Sequence, residues 1–260
     1  MGSLLRLDRQ PTDVAPPTLD TVAGLPLTNT LFTALLITAV LVVFGLYWRH
    51  RFQLVPGWFQ NMIEMLYEQM LQLVEQITSD RSQAKTILPV IAAMFVYIGL
   101  ANLLTILPGL QSITIDGQTL LRAPTSDINL PLALALASML IIQVLAVNAH
   151  GLGGYTGQFL RFRELVDGFS DGLKSGGIAL VKFFVGLLDI IAEAAKAISL
   201  SFGLFGNMFA GELLAVLVLG AFAYGLPALW MSMNLLFSIV QALVFGALVA
   251  GYYTLAVGDN

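Results

Sequence analysis

From Asp189 to Asn207 the chain reads DIIAEAAKAISLSFGLFGN, and the reading of this stretch decides the fold. At about 100° per residue, Asp189, Glu193, Lys196, Gly203 and Asn207 fall within a stripe about 80° wide on one helical face. From the first of them to the last is roughly 27 Å of helix axis at about 1.5 Å per residue, close to the hydrocarbon thickness of a bilayer. Ionisable groups at that depth cost about 2.5–3.5 kcal/mol each on insertion scales, so they are found lining a pathway or a protein interior. The stretch predicts a membrane helix with a polar track along one side.

Composition agrees with lipid as the solvent. Of the 260 residues, 57% are hydrophobic and 11% charged, a balance that a wetted soluble surface hardly sustains. A bilayer core of roughly 30 Å takes about 20 apolar residues per span, so several spans fit and little is left for a separate soluble domain. The absence of cysteine excludes disulfides, thiolate metal sites and cysteine nucleophiles. No nucleophile triad, phosphate-binding glycine loop or metal cluster is present in the sequence, so catalysis by this chain alone is not expected, nor is a metal or other cofactor.

The expected architecture is an all-α integral membrane protein with about five membrane helices and one amphipathic interfacial helix. Residues 1–27, with Pro11, Pro16, Pro17 and Pro26, read as an irregular tail, and residues 28–260 as one membrane domain. Leu31 to Trp48 is a retained first span, because Arg49-His50-Arg51 follows where a cleavage site needs small residues. After Val55-Pro56-Gly57, residues 58–77 set Asn61, Glu64, Glu68, Gln72 and Glu75 opposite Met62, Leu66, Met70 and Leu73, the pattern of a helix lying along the interface. A polar joint from Thr78 to Lys85 precedes a second crossing, Thr86 to Leu107, closed by Pro108-Gly109. An exposed stretch with Asp116-Gly117 and Arg122 comes next, and Pro124 to Asn129 opens a third crossing that runs to Asn148. Glycines 151, 153 and 154 and the segment Arg161 to Lys174 read as a loop. The remainder, about 176–219 and 226–256, reads as a long helical hairpin turning near Tyr224-Gly225.

Arg49, Arg51, Arg81, Lys85, Arg161, Arg163 and Lys174 fall on one side of this scheme, against Arg6, Arg9 and Arg122 on the other. The positive-inside rule then puts the N-terminal tail outside the cell. On the last helix Asn234, Ser238 and Gln241 share a face, extended by Tyr252, so two polar stripes turn inward. Gly203, Gly206, Ala210 and Gly211 on one helix, and Gly246, Ala247, Ala250 and Gly251 on the other, are suited to close helix approach. A helix pair packed through glycines, its polar groups satisfied internally, remains the plainer reading of these stripes. For Asn102 and Thr105, and for Asn129, Gln143 and Asn148, interhelical hydrogen bonding and a transport role are both open, while His150 reads as an ordinary interfacial histidine.

From Ser199 to Leu213 the sequence, SLSFGLFGNMFAGEL, resembles the signature of the a subunit of F-type ATP synthases. The likeness extends to Val55-Pro56-Gly57, Asn102-Leu103, the Pro-Thr-Ser-Asp-Ile-Asn run at 124–129, Gly153-Gly154-Tyr155 and Gln241-Ala242. It implies a non-catalytic stator in the cell inner membrane. Its two proton half-channels would open on opposite sides, with the last two helices forming a tilted hairpin against a c-ring. Peripheral-stalk b-type subunits, the rest of the complex and membrane lipid are the implied partners, and nucleic acid is not. By the same resemblance Asp189, Glu193 and Lys196 belong to the aqueous approaches. Asn207, Glu212, Asn234, Ser238 and Gln241 belong to the proton path and the region facing the ring, with Asn102, Asp127 and Asn129 nearby.

Two positions depart from the family pattern. Asn234 stands where an ionisable residue is frequent, which leaves a relay there to water or Glu212. Gly203 stands where the family has its essential arginine, and Lys196 is the last Lys or Arg in the chain. Either this is a substitution in an otherwise ordinary a subunit or the complex separates its half-channels by other means. A fixed cation about 4 Å from a carboxylate contributes on the order of 4 kcal/mol at an effective dielectric near 20, more than the roughly 2.3 kcal/mol that 100 mV supplies per charge. The expected consequence is a stator that assembles but couples poorly. A secondary transporter or ion channel is the rival class, against which stands the lack of evident inverted repeats. A purely structural membrane scaffold is the third.

Overall fold

The structure is a computed structural model that describes every residue except 1–15, 23, 107–112, 116–117, 171–172, 222–225 and 259–260. Its long elements are α-helices: α1 (Asn29–Trp48), α2 (Trp58–Thr78), α3 (Arg81–Ile106), α4 (Asn129–Phe159), α5 (Phe162–Ser170), α6 (Leu173–Ala221) and α7 (Leu226–Val257). Two short antiparallel hairpins accompany them, β1 (Thr18–Val22) with β2 (Leu25–Thr28) and β3 (Thr114–Ile115) with β4 (Gln118–Thr119). Among the described residues, α1, α3 up to Leu104, α4 and most of α7 are long and apolar enough to cross a membrane. Their outer faces are apolar, with Leu140, Val144 and Leu236 each about two-thirds exposed, the surface of a chain whose solvent is lipid.

Side-chain caps set the starts of α1 and α3. The Thr28 side chain caps α1 by accepting a hydrogen bond from the Leu31 N–H at 3.2 Å. Ser79, at φ 57°, ends α2, and the Asp80 carboxylate accepts from the Ser82 N–H at 2.8 Å to start α3. The joint expected over Thr78 to Lys85 is therefore only Ser79-Asp80, because an acidic cap lets the polar residues behind it form the first turn of the crossing. Arg81 then reaches back to Glu68 and Glu75, at 3.0 Å each, across the polar face of α2.

Other expectations are corrected as well. Within the tail predicted to be irregular, β1 (Thr18–Val22) and β2 (Leu25–Thr28) pair antiparallel, and Gly24 before β2 takes φ 82°. The loop predicted after Asn148 is largely helical, since α4 continues to Phe159 and α5 follows. Among the described residues the helix is interrupted at Gly151, whose φ 72° and ψ 162° favour glycine, and at Leu160-Arg161 between α4 and α5. The closing Pro108-Gly109, the Asp116-Gly117 turn and the Tyr224-Gly225 turn lie outside the described residues.

Residues group into two interleaved compact units. One comprises Met1–His50, Tyr97–Leu130 and Leu204–Gln241, and its interior is strongly polar, with Asn29, Thr30, Thr33, Asn102, Arg122, Thr125, Ser126 and Asp127 all buried beside Ile37, Ile98 and Leu204. The other comprises Arg51–Val96, Pro131–Gly203 and Ala242–Asn260, with an apolar core of Leu71, Val74, Ile87, Leu88, Ile142, Phe245 and Val249. Within this second unit an added Cβ on Gly186 would stand 2.2 Å from the Phe159 carbonyl oxygen and one on Gly246 2.8 Å from Ile91 Cγ2. Gly186→Ala is accordingly expected to cost about 1–3 kcal/mol of stability, read as a lower thermal denaturation midpoint in detergent.

Candidate functional site

In the first unit the segment before α4 is pinned from two helices. The Asn29 side-chain amide donates to the Thr119 carbonyl at 3.0 Å, and the Thr30 hydroxyl donates to Asp127 Oδ2 at 2.8 Å. The Thr33 hydroxyl accepts from the Arg122 backbone N–H at 3.3 Å. From α3, Asn102 Oδ1 accepts from the Thr125 hydroxyl at 2.6 Å. Asp127 Oδ1 accepts from both the backbone and the side-chain amide of Asn129, at 3.1 and 2.9 Å. Asn102, Asp127 and Asn129, grouped in the sequence by the family resemblance alone, thus each hold or flank the same Pro124–Ser126 turn through their own side-chain bonds. Thr30 and Thr125, unremarkable as single residues, supply the partners of Asp127 and Asn102.

Arg122 is the largest departure from expectation. Read as part of an exposed stretch, its side chain is 7% exposed, and Nη2 donates to Glu212 Oε2 at 3.2 Å. The bonds to α1 carry the Pro124–Ser126 turn inward and bring the guanidinium with it. No periodicity in the sequence signals a contact across 90 positions.

On α6 and α7, within the same unit, Asn207 Nδ2 donates to Gln241 Oε1 at 2.6 Å. Asn234 lies against Gly211, where an added Cβ would stand 3.1 Å from Asn234 Oδ1. Ser238 is buried and donates to the Asn234 carbonyl at 2.7 Å. Trp230 Nε1 donates to the Gly211 carbonyl at 3.4 Å. Glu212 is nine positions beyond Gly203, about 180° round the helix, so it turns away from the face that holds Gly203 and Asn207.

In the second unit the polar groups of α6 meet α4 and α7. Glu193 and Lys196 form an ion pair, with about a fifth of each side chain exposed. Gln143 Nε2 donates to Glu193 Oε2 at 2.9 Å, and the Tyr155 hydroxyl donates to Gln143 Oε1 at 2.5 Å. The Lys196 ammonium also stands 5.5 Å from the Tyr252 ring centroid, within cation–π range. Asp189 is half-buried and is not part of this network among the described residues. Gln143 and Tyr155 were legible only as polar residues on a helix and on a glycine turn.

Gly203 differs from the packing glycines. Close approach, expected for the small residues of both helices, is found at Gly211 and Gly246, whereas a Cβ added at Gly203, Gly206 or Gly251 meets nothing within 4 Å. Along α6, Gly203, Gly206, Asn207 and Ala210 are exposed, so the face that carries the Asn207 to Gln241 bond has room for side chains that the sequence does not supply.

The long apolar helices agree with the comparisons to known proteins. The family model of the ATP synthase A chain matches residues 30–254. ATP synthase subunit a of Pseudoalteromonas translucida (strain TAC 125) is 31% identical over 222 residues, 79% of this chain and 75% of the relative. ATP synthase subunit a of Mycobacterium ulcerans (strain Agy99) is 30% identical over 236 residues, 88% of this chain and 86% of the relative. The chain belongs to the ATP synthase A chain family, as a multi-pass, non-catalytic membrane subunit of the proton-translocating Fo sector.

Proposed function

We propose that this chain forms the two proton half-channels that load and unload the carboxylates of a c-ring, with α6 and α7 as a tilted hairpin against it. The observation that carries the reading is the exposed small and polar face of α6, Gly203, Gly206 and Asn207, beside the Asn207 to Gln241 hydrogen bond. A face lined with glycine, asparagine and glutamine has little to gain from lipid contact and suits close approach by a partner helix. The polar interior of the first unit, with Asp127, Asn129, Asn102 and Glu212, supplies one half-channel. The network of Glu193, Lys196, Gln143 and Tyr155 supplies the other, with Asp189 at its approach. Asn234 and Ser238 lie along the first of these paths, where water or Glu212 relays the proton.

The membrane is the bacterial inner membrane and the N-terminal hairpin is extracytoplasmic. Once Arg122 is counted as buried, the basic residues of the loops favour the opposite side more strongly. Peripheral-stalk b-type subunits are the further partners. Gly203 leaves the passing ring carboxylate without a fixed cation, and proton flow is then poorly coupled to ATP synthesis. Mild-detergent purification tests the assignment. Recovery of this chain with a ring of small hairpin subunits and stalk helices is the expected result. A secondary transporter or ion channel would instead emerge alone or as a homo-oligomer, and that outcome would refute the reading.

A further inference from the structure

The Arg122 to Glu212 pair is built more firmly than the sequence demands. The side chains are 7% and 14% exposed, and the segment around Arg122 is tied to α1 through the backbone at Thr119 and Arg122 and through the Asp127 carboxylate. The α3 helix adds a fourth tie through Asn102 and Thr125. The guanidinium is held in place by its surroundings, and its charge is permanent at any working pH. A buried carboxylate without such a partner is costly, and a neutral pair of this kind is the form in which charge is tolerated at membrane depth.

The pair does not replace the missing cation at position 203. Glu212 lies roughly 13.5 Å further along the helix and on its opposite face, so Arg122 serves the polar interior of its own unit and not the face of Gly203 and Asn207. Buried in the same unit are Asp127 and Asn102, assigned above to one half-channel, together with Asn29, Thr30 and Thr33. We propose that Arg122 is the positioning residue of that half-channel, holding the Glu212 carboxylate at the end of the buried polar network so that it receives and passes on protons. A proton arriving on Glu212 removes the charge that binds the guanidinium, so the pair loosens as the proton arrives and re-forms once it has moved on. Each transfer leaves Glu212 as the carboxylate it began as, and Arg122 never gives up a proton.

This inference rests on the proton-path reading, and one experiment separates their failures. Proton flux through vesicles containing the assembled complex is measured with and without a blocker of the ring, for the parent chain, Arg122→Gln, Arg122→Lys, Glu212→Gln and the Arg122→Gln/Glu212→Gln double variant. Arg122→Gln is expected to lower the blocker-sensitive flux about tenfold or more, and Arg122→Lys to restore most of it. The double variant is expected to lose no more than Glu212→Gln alone. Should Arg122→Gln fail to assemble with the ring, neutralising both partners is expected to recover assembly, with Arg122→Lys keeping the flux. A blocker-sensitive parent flux unchanged in Arg122→Gln overturns the inference. So does Arg122→Lys as poor as Arg122→Gln, or losses at the two positions that simply add. Absence of any blocker-sensitive flux in the parent would instead count against the proton-path reading itself.

Discussion

Gly203→Arg is expected to raise ATP synthesis driven by a proton gradient in vesicles by up to several hundredfold, and to reduce any blocker-sensitive leak of the parent form. A cation about 4 Å from a ring carboxylate contributes roughly 4 kcal/mol at an effective dielectric near 20, and about 1.4 kcal/mol is a factor of ten. The site has room for it, because a Cβ added at Gly203 meets nothing within 4 Å and the residue is exposed. The same substitution at Gly211 would press on Asn234 and at Gly246 on Ile91, so those positions serve as controls in which arginine is expected to impair assembly. Normal synthesis by the parent chain, unchanged by arginine at 203, would mean that another group separates the half-channels.

Lys196→Met is expected to lower both stability and flux. Lys196 pairs with Glu193 and lies over the Tyr252 ring, and about a fifth of each charged side chain remains exposed. Its removal leaves the Glu193 carboxylate with the Gln143 amide as its remaining donor in the described network. A fully buried carboxylate stripped of its cation costs about 3–5 kcal/mol, and partial exposure reduces that to about 1–3 kcal/mol here. The denaturation midpoint in detergent should fall accordingly. Flux should fall about tenfold, with Lys196→Arg recovering stability and the Lys196→Met/Glu193→Gln pair recovering stability but not flux. Equal flux in all of these would remove Glu193 from the path.

Much of the fold was legible because lipid imposes long apolar runs and makes every charged residue inside them conspicuous. Leu31 to Trp48 and the amphipathic pattern from 58 to 77 fall within two residues of α1 and α2. The polar stripe of α6 was legible for the same reason. What escaped were features fixed by tertiary contact or by one backbone residue. Glycines 151, 153 and 154 look alike in sequence, yet only Gly151 takes a positive φ, and the chain beyond it returns to helix. Arg122 carries the usual signs of a solvated loop charge. Its burial depends on Thr33, Thr30 and Glu212, which sequence spacing does not connect to it. The small residues were read as one class, although only some of them meet a neighbouring helix. Gly203 and Gly206 open instead onto the surface.

Because the chain has no cysteine of its own, disulfide cross-linking offers the most direct test of the central claim that this surface of α6 runs against a rotating ring. Asn207→Cys would be combined with a single cysteine on the outer helix of the ring subunit and the assembled complex oxidised in the membrane. The account predicts a cross-link between the two chains that halts proton flux and is reversed by reduction. A cysteine at 207 that joins only to a second copy of this chain, or that lipid-soluble reagents label equally with and without the ring, would contradict it.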